Sequence, residues 1–517
     1  MFAGSVSQAA PYRPASGARR DALWIALGLA LVAAAYFYTQ ATFPLVPGNR
    51  ASAPLGWGAW DDQKQYLIGA RALLQGDLDP NKHLYPPLYP LIGALFLKIS
   101  PAAPFFWPDL ALTLAYFGVF VALFRRYLGT APAVGCALIG MLAWPDLRVQ
   151  WLMPWTTTPA ALLILAALAL LDRAWRHRHD DGLGARALNA GGFGLALGLL
   201  AADRPVDVAV TAPLWLTYAA LVLVDLRRNW VCVATGLAGV AAAVVPYLLF
   251  NLASFGTLLG RYVAHNAQMG FDPTVLPMAL YSQWIASGPL FAEAHVDWLS
   301  RAPLLLLAIL FLPPSLAWGP LAFRVVAACG LIEFAIYYCD HDIIPTGTFR
   351  FCNIHYFKWL APVALALAFH AVRAAVSQGP ALRRHGALTL AAVAAMALAA
   401  VAVVAAPRST PVLIDQSDHE LNVTLSGEAT DYVDLSGVEG AWGAIYFPTG
   451  GGVSLDDGPP LARISQWRLL PTAQGVRLWL PDRPSPHRLT LQLPEGVRVL
   501  PGASAVAGRL QWTLRGL

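Results

Sequence analysis

Apolar residues along this chain gather into long runs separated by short polar breaks. The runs lie near 22–40, 108–124, 127–144, 155–172, 188–203, 205–224, 230–250, 302–322, 323–339, 359–377 and 386–406. A helix needs about 20 predominantly apolar residues to cross the hydrocarbon core of a bilayer. The pattern therefore predicts about eleven transmembrane helices. One more apolar stretch, Pro86–Lys98, is too short to cross and is expected to form a re-entrant or interfacial helix. Beyond Ala406 the pattern changes. Gly and Pro become frequent, and stretches such as 488–493 and 509–514 alternate apolar with polar positions. Period-two alternation between turn signals predicts β-strands. The predicted fold class is an all-α polytopic membrane domain over 1–407, followed by an all-β domain over 408–517, a small β-sandwich or jelly roll.

Composition agrees with lipid as the solvent. Of the 517 residues 57% are hydrophobic and 13% charged, against about 25% charged in soluble domains. The net charge of +5 comes without a basic run interleaved with aromatics, which argues against nucleic acid as a partner. The basic residues mark topology instead. Arg125-Arg126, Arg173 to Arg186, Arg227-Arg228 and Arg373 to Arg384 occupy short loops. These alternate with loops 41–107, 145–154, 251–301 and 340–358, which hold most of the acids and aromatics. The positive-inside rule puts the N-terminus and the basic loops in the cytoplasm. The other loops and residues 408–517 then lie outside, and the chain belongs in the cytoplasmic (inner) membrane with a periplasmic β-domain. The run at 22–40 is long for a signal peptide and lacks a clear cleavage site, so it reads as a retained first span.

Five cysteines are present. Cys136, Cys232 and Cys329 fall in apolar runs, where a thiol is a small hydrophobe. Cys339 and Cys352 flank an outer loop and would be placed to pair in an oxidising compartment.

The first outer loop, 41–107, carries the most pointed chemistry. Asp61 and Asp62 sit side by side just outside a span, ahead of an amphipathic helical pattern. A carboxylate there can accept a proton from an attacking hydroxyl. It can equally cap the helix that follows, and the pattern leaves both roles open.

Asp62, Tyr66, Ala70, Leu73 and Gly76, followed by Tyr85-Pro86-Pro87-Leu88-Tyr89-Pro90, resemble the first outer loop of the C-type (GT-C fold) glycosyltransferases. These multi-span enzymes include the protein O-mannosyltransferases and the lipid A aminoarabinose transferase. The likeness continues in family order with Ala202-Asp203-Arg204-Pro205, then Pro246-Tyr247, Asn251 and Ser254-Phe255-Gly256, then Arg350, His355-Tyr356 and Pro362. It implies a GT-C-like membrane domain that moves a sugar from a polyprenyl-phosphate donor to an acceptor hydroxyl on a glycan, lipid or protein. Asp62 falls at the position of the family's catalytic Asp, and the four-residue gap to Tyr66 fits it rather than Asp61. The chain departs from the pattern in three places. Gln63 stands where Glu is usual. Tyr85, with His83 nearby, stands where a basic residue precedes Pro-Pro. Thr156-Thr157-Thr158 fills a stretch that often holds a second acid, leaving Asp146 as the nearest one.

The implied mechanism is inverting transfer, with cations at the developing phosphate charge. Candidates for donor binding are Tyr66, His83, Tyr85, Arg204, Arg261, Arg350, His355 and Lys358, with His265 beside Arg261. Each cation also fits a plainer role as a lipid-headgroup contact, and Lys358 reads first as a snorkelling lysine at a span end. Arg204 and Asp207 are costly at membrane depth; they suit function, or pairing with each other or with Asp203. A divalent metal site built from His83, His265, His295 and His341 with Asp342 or Glu293 has no ligand spacing behind it, and no cofactor is otherwise implied. Three rival readings stand beside it: a lipid-linked oligosaccharide polymerase or ligase, a lipid-linked sugar transporter, and a non-catalytic scaffold for the outer β-domain. A transporter would show internal repeats, and none is visible.

Overall fold

The computed structural model describes residues 17–43, 61–178, 182–269, 271, 273, 276–287, 297–339, 353–377, 379–416, 420–427, 429–439, 452–459, 461, 468–471, 475–480, 486–493 and 497–514. The helices are α1 Ala18–Thr42, α2 Asp61–Leu74, α3 Leu88–Phe96, α4 Phe106–Leu128, α5 Thr130–Leu142, α6 Pro145–Gln150, α7 Thr157–Arg176, α8 Leu183–Asp203, α9 Pro205–Val210, α10 Ala212–Leu223, α11 Leu226–Phe255, α12 Gly260–Met269, α13 Leu276–Trp284, α14 Trp298–Arg301, α15 Pro303–Ile309, α16 Leu312–Trp318, α17 Leu321–Cys339, α18 Leu360–Ala375 and α19 Pro380–Ala402. Short 3-10 turns occupy Pro80–Lys82 and Asn353–Phe357.

The apolar runs expected to span are helical, the last of them only to Ala402, with its final four residues in a β-strand. Among the described residues α1, α4, α7, α8, α11 and α17 are long and apolar enough to cross a membrane, and shorter apolar helices lie at Thr130–Leu142, Ala212–Leu223, Pro303–Trp318 and Leu360–Ala375. The chain is a multi-pass membrane protein. Two runs are interrupted. The run at 205–224 breaks at Thr211, next to Pro213. The run at 302–322 breaks before Leu312, next to Pro313 and Pro314. Proline lacks the N–H that would continue the ladder. Helix α3 has 9 residues, about 13 Å at 1.5 Å per residue, too short to cross a bilayer.

The chain divides into two compact units. The first comprises residues 1–263, 307–333 and 354–393; the second comprises 264–306, 334–353 and 394–517. Within the first, α8 and α11 pack at backbone distance. A Cβ on Gly194 would lie 2.0 Å from the Gly236 carbonyl oxygen, so no larger residue fits there. Gly140 of α5 likewise admits the backbone of Pro362 at the start of α18, where a Cβ would come within 2.5 Å. That approach fixes the segment just before α18, which carries His355 and Lys358.

The second unit contains the predicted all-β part. Its strands are β1 Val403–Gln416, β2 Glu420–Thr424, β3 Tyr432–Glu439, β4 Gly452–Leu455, β5 Arg468–Pro471, β6 Gly475–Trp479, β7 Arg488–Gln492 and β8 Arg498–Leu514. They form one antiparallel sheet in the order β4-β7-β2-β1-β8-β3-β6-β5. Strand β1 belongs to both halves, pairing with β8 from Val403 to Val412 and with β2 from Leu413 to Gln416. Side chains from both halves, among them Leu421, Val423, Leu489, Val433, Leu435 and Leu478, share one apolar core. The alternation read at 488–493 is visible in β7, where Leu489 and Leu491 are buried and Arg488 and Gln492 exposed. Asp456 caps a turn by accepting the backbone N–H groups of His487 and Arg488.

Candidate functional site

Helix α2 brings Asp62 and Tyr66 onto one face, one turn apart. The following loop is tied down locally. Asp77 accepts from the Asp79 backbone N–H and pairs with Lys82, and Asp79 accepts from the Asn81 N–H at 3.0 Å. Pro80 opens the 3-10 turn. The loop then carries Tyr85 back to the start of α2, where its hydroxyl donates to Asp62 Oδ1 at 2.5 Å. The Tyr85 ring packs between Tyr66 (centroids 4.6 Å) and Tyr262 of α12 (5.5 Å). Tyr66 also meets Tyr89 and Phe105. Asp62 therefore sits at the edge of an aromatic cradle. Burial first, and the Asp62 charge next, hold both the Tyr66 and Tyr85 hydroxyls well above their usual range, so both stay neutral.

Arg204 is placed by the sequence beside it. A residue before proline is pushed out of the helical region, and α8 accordingly stops at Asp203, leaving Arg204 extended (φ −144°, ψ 87°) ahead of Pro205. Its guanidinium donates to Asp207 Oδ2 at 2.8 Å and to Thr156 Oγ1 at 2.9 Å, and lies 5.0 Å from the Tyr356 ring centroid. Thr156 also lies close enough to Tyr66 to bear on its hydroxyl. The Thr156 hydroxyl thus stands between the aromatic cradle and the buried arginine. Asp203 does not hydrogen-bond the arginine; both its carboxylate oxygens are buried without a hydrogen-bond partner.

The segment before α18 supplies the rest. Lys358 is fully buried and does not snorkel. Its Nζ donates to the Gln150 carbonyl at 2.9 Å and to Thr158 Oγ1 at 2.6 Å, and lies 5.0 Å from the Trp151 ring centroid. Burial, aided by the Arg204 charge and opposed by Asp109 and Asp203, pushes its ammonium down to about 7. His355 is buried, stacked on Trp155 at 3.8 Å, with Nδ1 3.2 Å from Thr157 Oγ1. Burial first, then the Arg204 and Lys358 charges, hold it well below its usual range. It is a neutral ring that offers hydrogen bonds rather than charge. Two further bonds pin this segment: Tyr116 donates to the Trp359 carbonyl at 2.7 Å, and Trp359 Nε1 donates to Glu333 Oε1 at 2.8 Å.

No protein-family model matches the chain, and no curated protein matches it. Among solved structures, the chain is similar to the crystal structure of ArnT from Cupriavidus metallidurans bound to undecaprenyl phosphate, at 16% identity and a TM-score of 0.47, covering 73% of this chain and 64% of that one. It is similar to the apo state of ArnT at 15% identity and a TM-score of 0.47, covering 74% of this chain and 65% of that one. The chain thus spans less than two thirds of the length of these structures.

Of the expected site residues, the structure groups Asp62, Tyr66, Tyr85, Arg204, His355 and Lys358 within the first unit. His83 lies beside them in the loop, buried edge-on against Phe250, with Nε2 2.7 Å from the Asp77 carbonyl. Arg261 is exposed on α12, one residue before Tyr262. Arg350, His295, His341, Asp342, Glu293 and Cys352 lie outside the described residues, as do the side chains of Asp61 and His265, so the expected Cys339–Cys352 pair lies outside them too. Among the described residues no group of three or more His, Cys, Asp or Glu could hold a metal ion. Asp146 opens α6, and its carbonyl accepts from Gln150 Nε2.

The sequence reading missed the role of Thr156-Thr157-Thr158. Three consecutive hydroxyls each touch a different site residue: Arg204, His355 and Lys358. Thr156 stands at the N-cap of α7 yet makes no side-chain cap bond, because its oxygen is engaged by Arg204. Three threonines opening an apolar helix were the available signal.

Proposed function

We propose that this protein is a membrane glycosyltransferase that moves a sugar from a polyprenyl-phosphate-linked donor to an acceptor hydroxyl on a glycan, lipid or protein. The observation that carries the reading is one continuous polar cluster inside an apolar protein. A carboxylate, Asp62, is bonded by Tyr85, whose ring packs on Tyr66, and the neighbouring Thr156 accepts from a buried guanidinium, Arg204. Lys358 is anchored two residues along the same threonine run. The chemistry needs a base and fixed cations. Asp62 takes the proton of the acceptor hydroxyl, whose oxygen attacks the sugar C1 from the face opposite the leaving polyprenyl phosphate. The C1–phosphate oxygen bond breaks, its electrons stay on the phosphate, and the configuration at C1 inverts. Arg204 and Lys358 oppose that developing charge; preoriented donors in a water-poor site do so without reorganisation. His355 and Tyr66 contribute neutral hydrogen bonds. The reaction belongs on the outer face of the cytoplasmic membrane, the side to which the basic-loop pattern assigns loop 41–107. The β-domain, whose acids show no paired arrangement suited to catalysis, is assigned no part in the chemistry.

The test is turnover. The purified chain in nanodiscs is given a panel of radiolabelled polyprenyl-phosphate sugars and a membrane acceptor extract. Label moving from the lipid phosphate to acceptor, with inverted anomeric configuration, supports the reading. Movement of intact lipid-linked sugar between leaflets without cleavage would favour a transporter.

A further inference from the structure

Tyr85 stands where the resembled family has a basic residue, and the sequence alone would enlist it for the donor phosphate. Its hydroxyl is committed elsewhere: a hydroxyl has one hydrogen to donate, and Tyr85 gives it to Asp62 Oδ1 at 2.5 Å. The ring that carries that hydroxyl is packed against Tyr66 and Tyr262, both tilted to it, with centroids at 4.6 and 5.5 Å. Swinging the ring to a ligand would break both contacts. We infer that Tyr85 is a positioning residue for Asp62, fixing the rotamer of the carboxylate and stabilising its ionised form, and is not a ligand of the donor phosphate. This rests on Asp62 acting as the base.

Three features support it. The bond runs to one named carboxylate oxygen, so it sets the orientation of the carboxyl group directly. Tyr85 itself stays protonated, because burial and the neighbouring charge oppose its ionisation. A donor to the ionised form lowers a carboxyl's pKa, so the bond keeps Asp62 ionised to lower pH. The other titratable and charged groups nearby act around this pair without replacing the bond. Tyr66 lies on the same helix and Tyr262 on α12, both neutral donors. Arg204 reaches Tyr66 from the α8–α9 junction, and Lys82 of the 3-10 turn is engaged by Asp77.

The experiment compares Tyr85→Phe, which keeps the ring stack, with wild type and with Asp62→Asn. Two measurements are made on each full-length protein in nanodiscs. The first is transfer against pH. Tyr85→Phe is expected to lower kcat about tenfold to a hundredfold, the usual cost of losing a hydrogen bond to a charged group. Its acid limb should move up by about one pH unit, with the donor KM unchanged. Combined with Asp62→Asn it should add no further loss, because it acts through that residue. A raised donor KM with an unshifted acid limb would overturn the inference and return Tyr85 to the phosphate. The second measurement needs no turnover: carbodiimide labelling of the Asp62 carboxyl followed by mass spectrometry across pH. Labelling of the protonated acid should persist to higher pH in Tyr85→Phe, and superimposable labelling curves would overturn the inference even if transfer is lowered. Failure of the functional reading looks different, since Asp62→Asn would then turn over like wild type whatever Tyr85→Phe does to the labelling.

Discussion

Lys358 shows how much one side chain at this site depends on its surroundings. A lysine with its ammonium pushed down to about 7 is half charged near neutrality. If that charge opposes the leaving phosphate, transfer falls as pH rises above about 7, and Lys358→Met abolishes that alkaline limb along with most of the rate. Stability carries the opposite signature. The folded chain releases this proton near 7 and the unfolded chain near 10.5. Between those values the unfolded state binds more protons, so stability rises with pH across the window. The melting temperature of wild type relative to Lys358→Met should therefore climb from pH 7 to pH 10; a flat difference would show that the lysine is not desolvated. Arg204 is held differently, by a buried carboxylate 2.8 Å away. Removing one partner of a buried pair costs roughly 3–5 kcal/mol, so Arg204→Met should lower the melting temperature as well as the rate. Sequence pattern could not reveal either environment. Lys358 reads as a snorkelling residue because it precedes a span, while the groups that hold it lie 208 and 200 residues away at Gln150 and Thr158. The Asp62–Tyr85 contact, by contrast, joins two positions only 23 residues apart in one loop.

Elements follow the hydrophobic pattern closely, since helices in lipid must satisfy their own backbone and therefore carry long apolar runs. The pattern did not reveal the breaks at Thr211 and before Leu312, where proline costs the ladder a donor in an otherwise apolar run. Nor did it reveal the backbone contact of α8 with α11. Close approach through small residues is a common way for membrane helices to associate, and here Gly194 has no room for a methyl group. Gly194→Ala should destabilise the detergent-solubilised protein by about 1–3 kcal/mol, as overpacking usually does. Gly118→Ala on α4, where a Cβ meets nothing within 4 Å, should be neutral or slightly stabilising. Equal melting temperatures for the two variants would mean that the α8–α11 contact is looser than described. The β-strands were legible by alternation, but the sharing of β1 between two halves was not, because register in a long strand is set by partners distant in sequence.

At the scale of the whole molecule, one apolar protein concentrates its buried polar chemistry where α2, the threonine run opening α7, the α8–α9 junction and the segment before α18 meet. The basic-loop pattern predicts that this chemistry faces outward. Cysteines placed in 41–60 and in 440–450 should react with an impermeant maleimide added to intact spheroplasts, and a cysteine in 179–181 should react only after permeabilisation. Labelling of 440–450 only from the cytoplasm would remove the outer-face assignment. The central claim is that Asp62 drives sugar transfer from a lipid-linked donor. Its most direct test is single-turnover transfer by Asp62→Asn beside Asp61→Asn, with donor binding measured in parallel. Asn is nearly isosteric with Asp and caps a helix about as well, yet it cannot take a proton. Asp62→Asn should fold, bind donor and lose about 10²–10⁴-fold in rate, with Asp61→Asn affected less. Near-normal transfer by Asp62→Asn would contradict the claim.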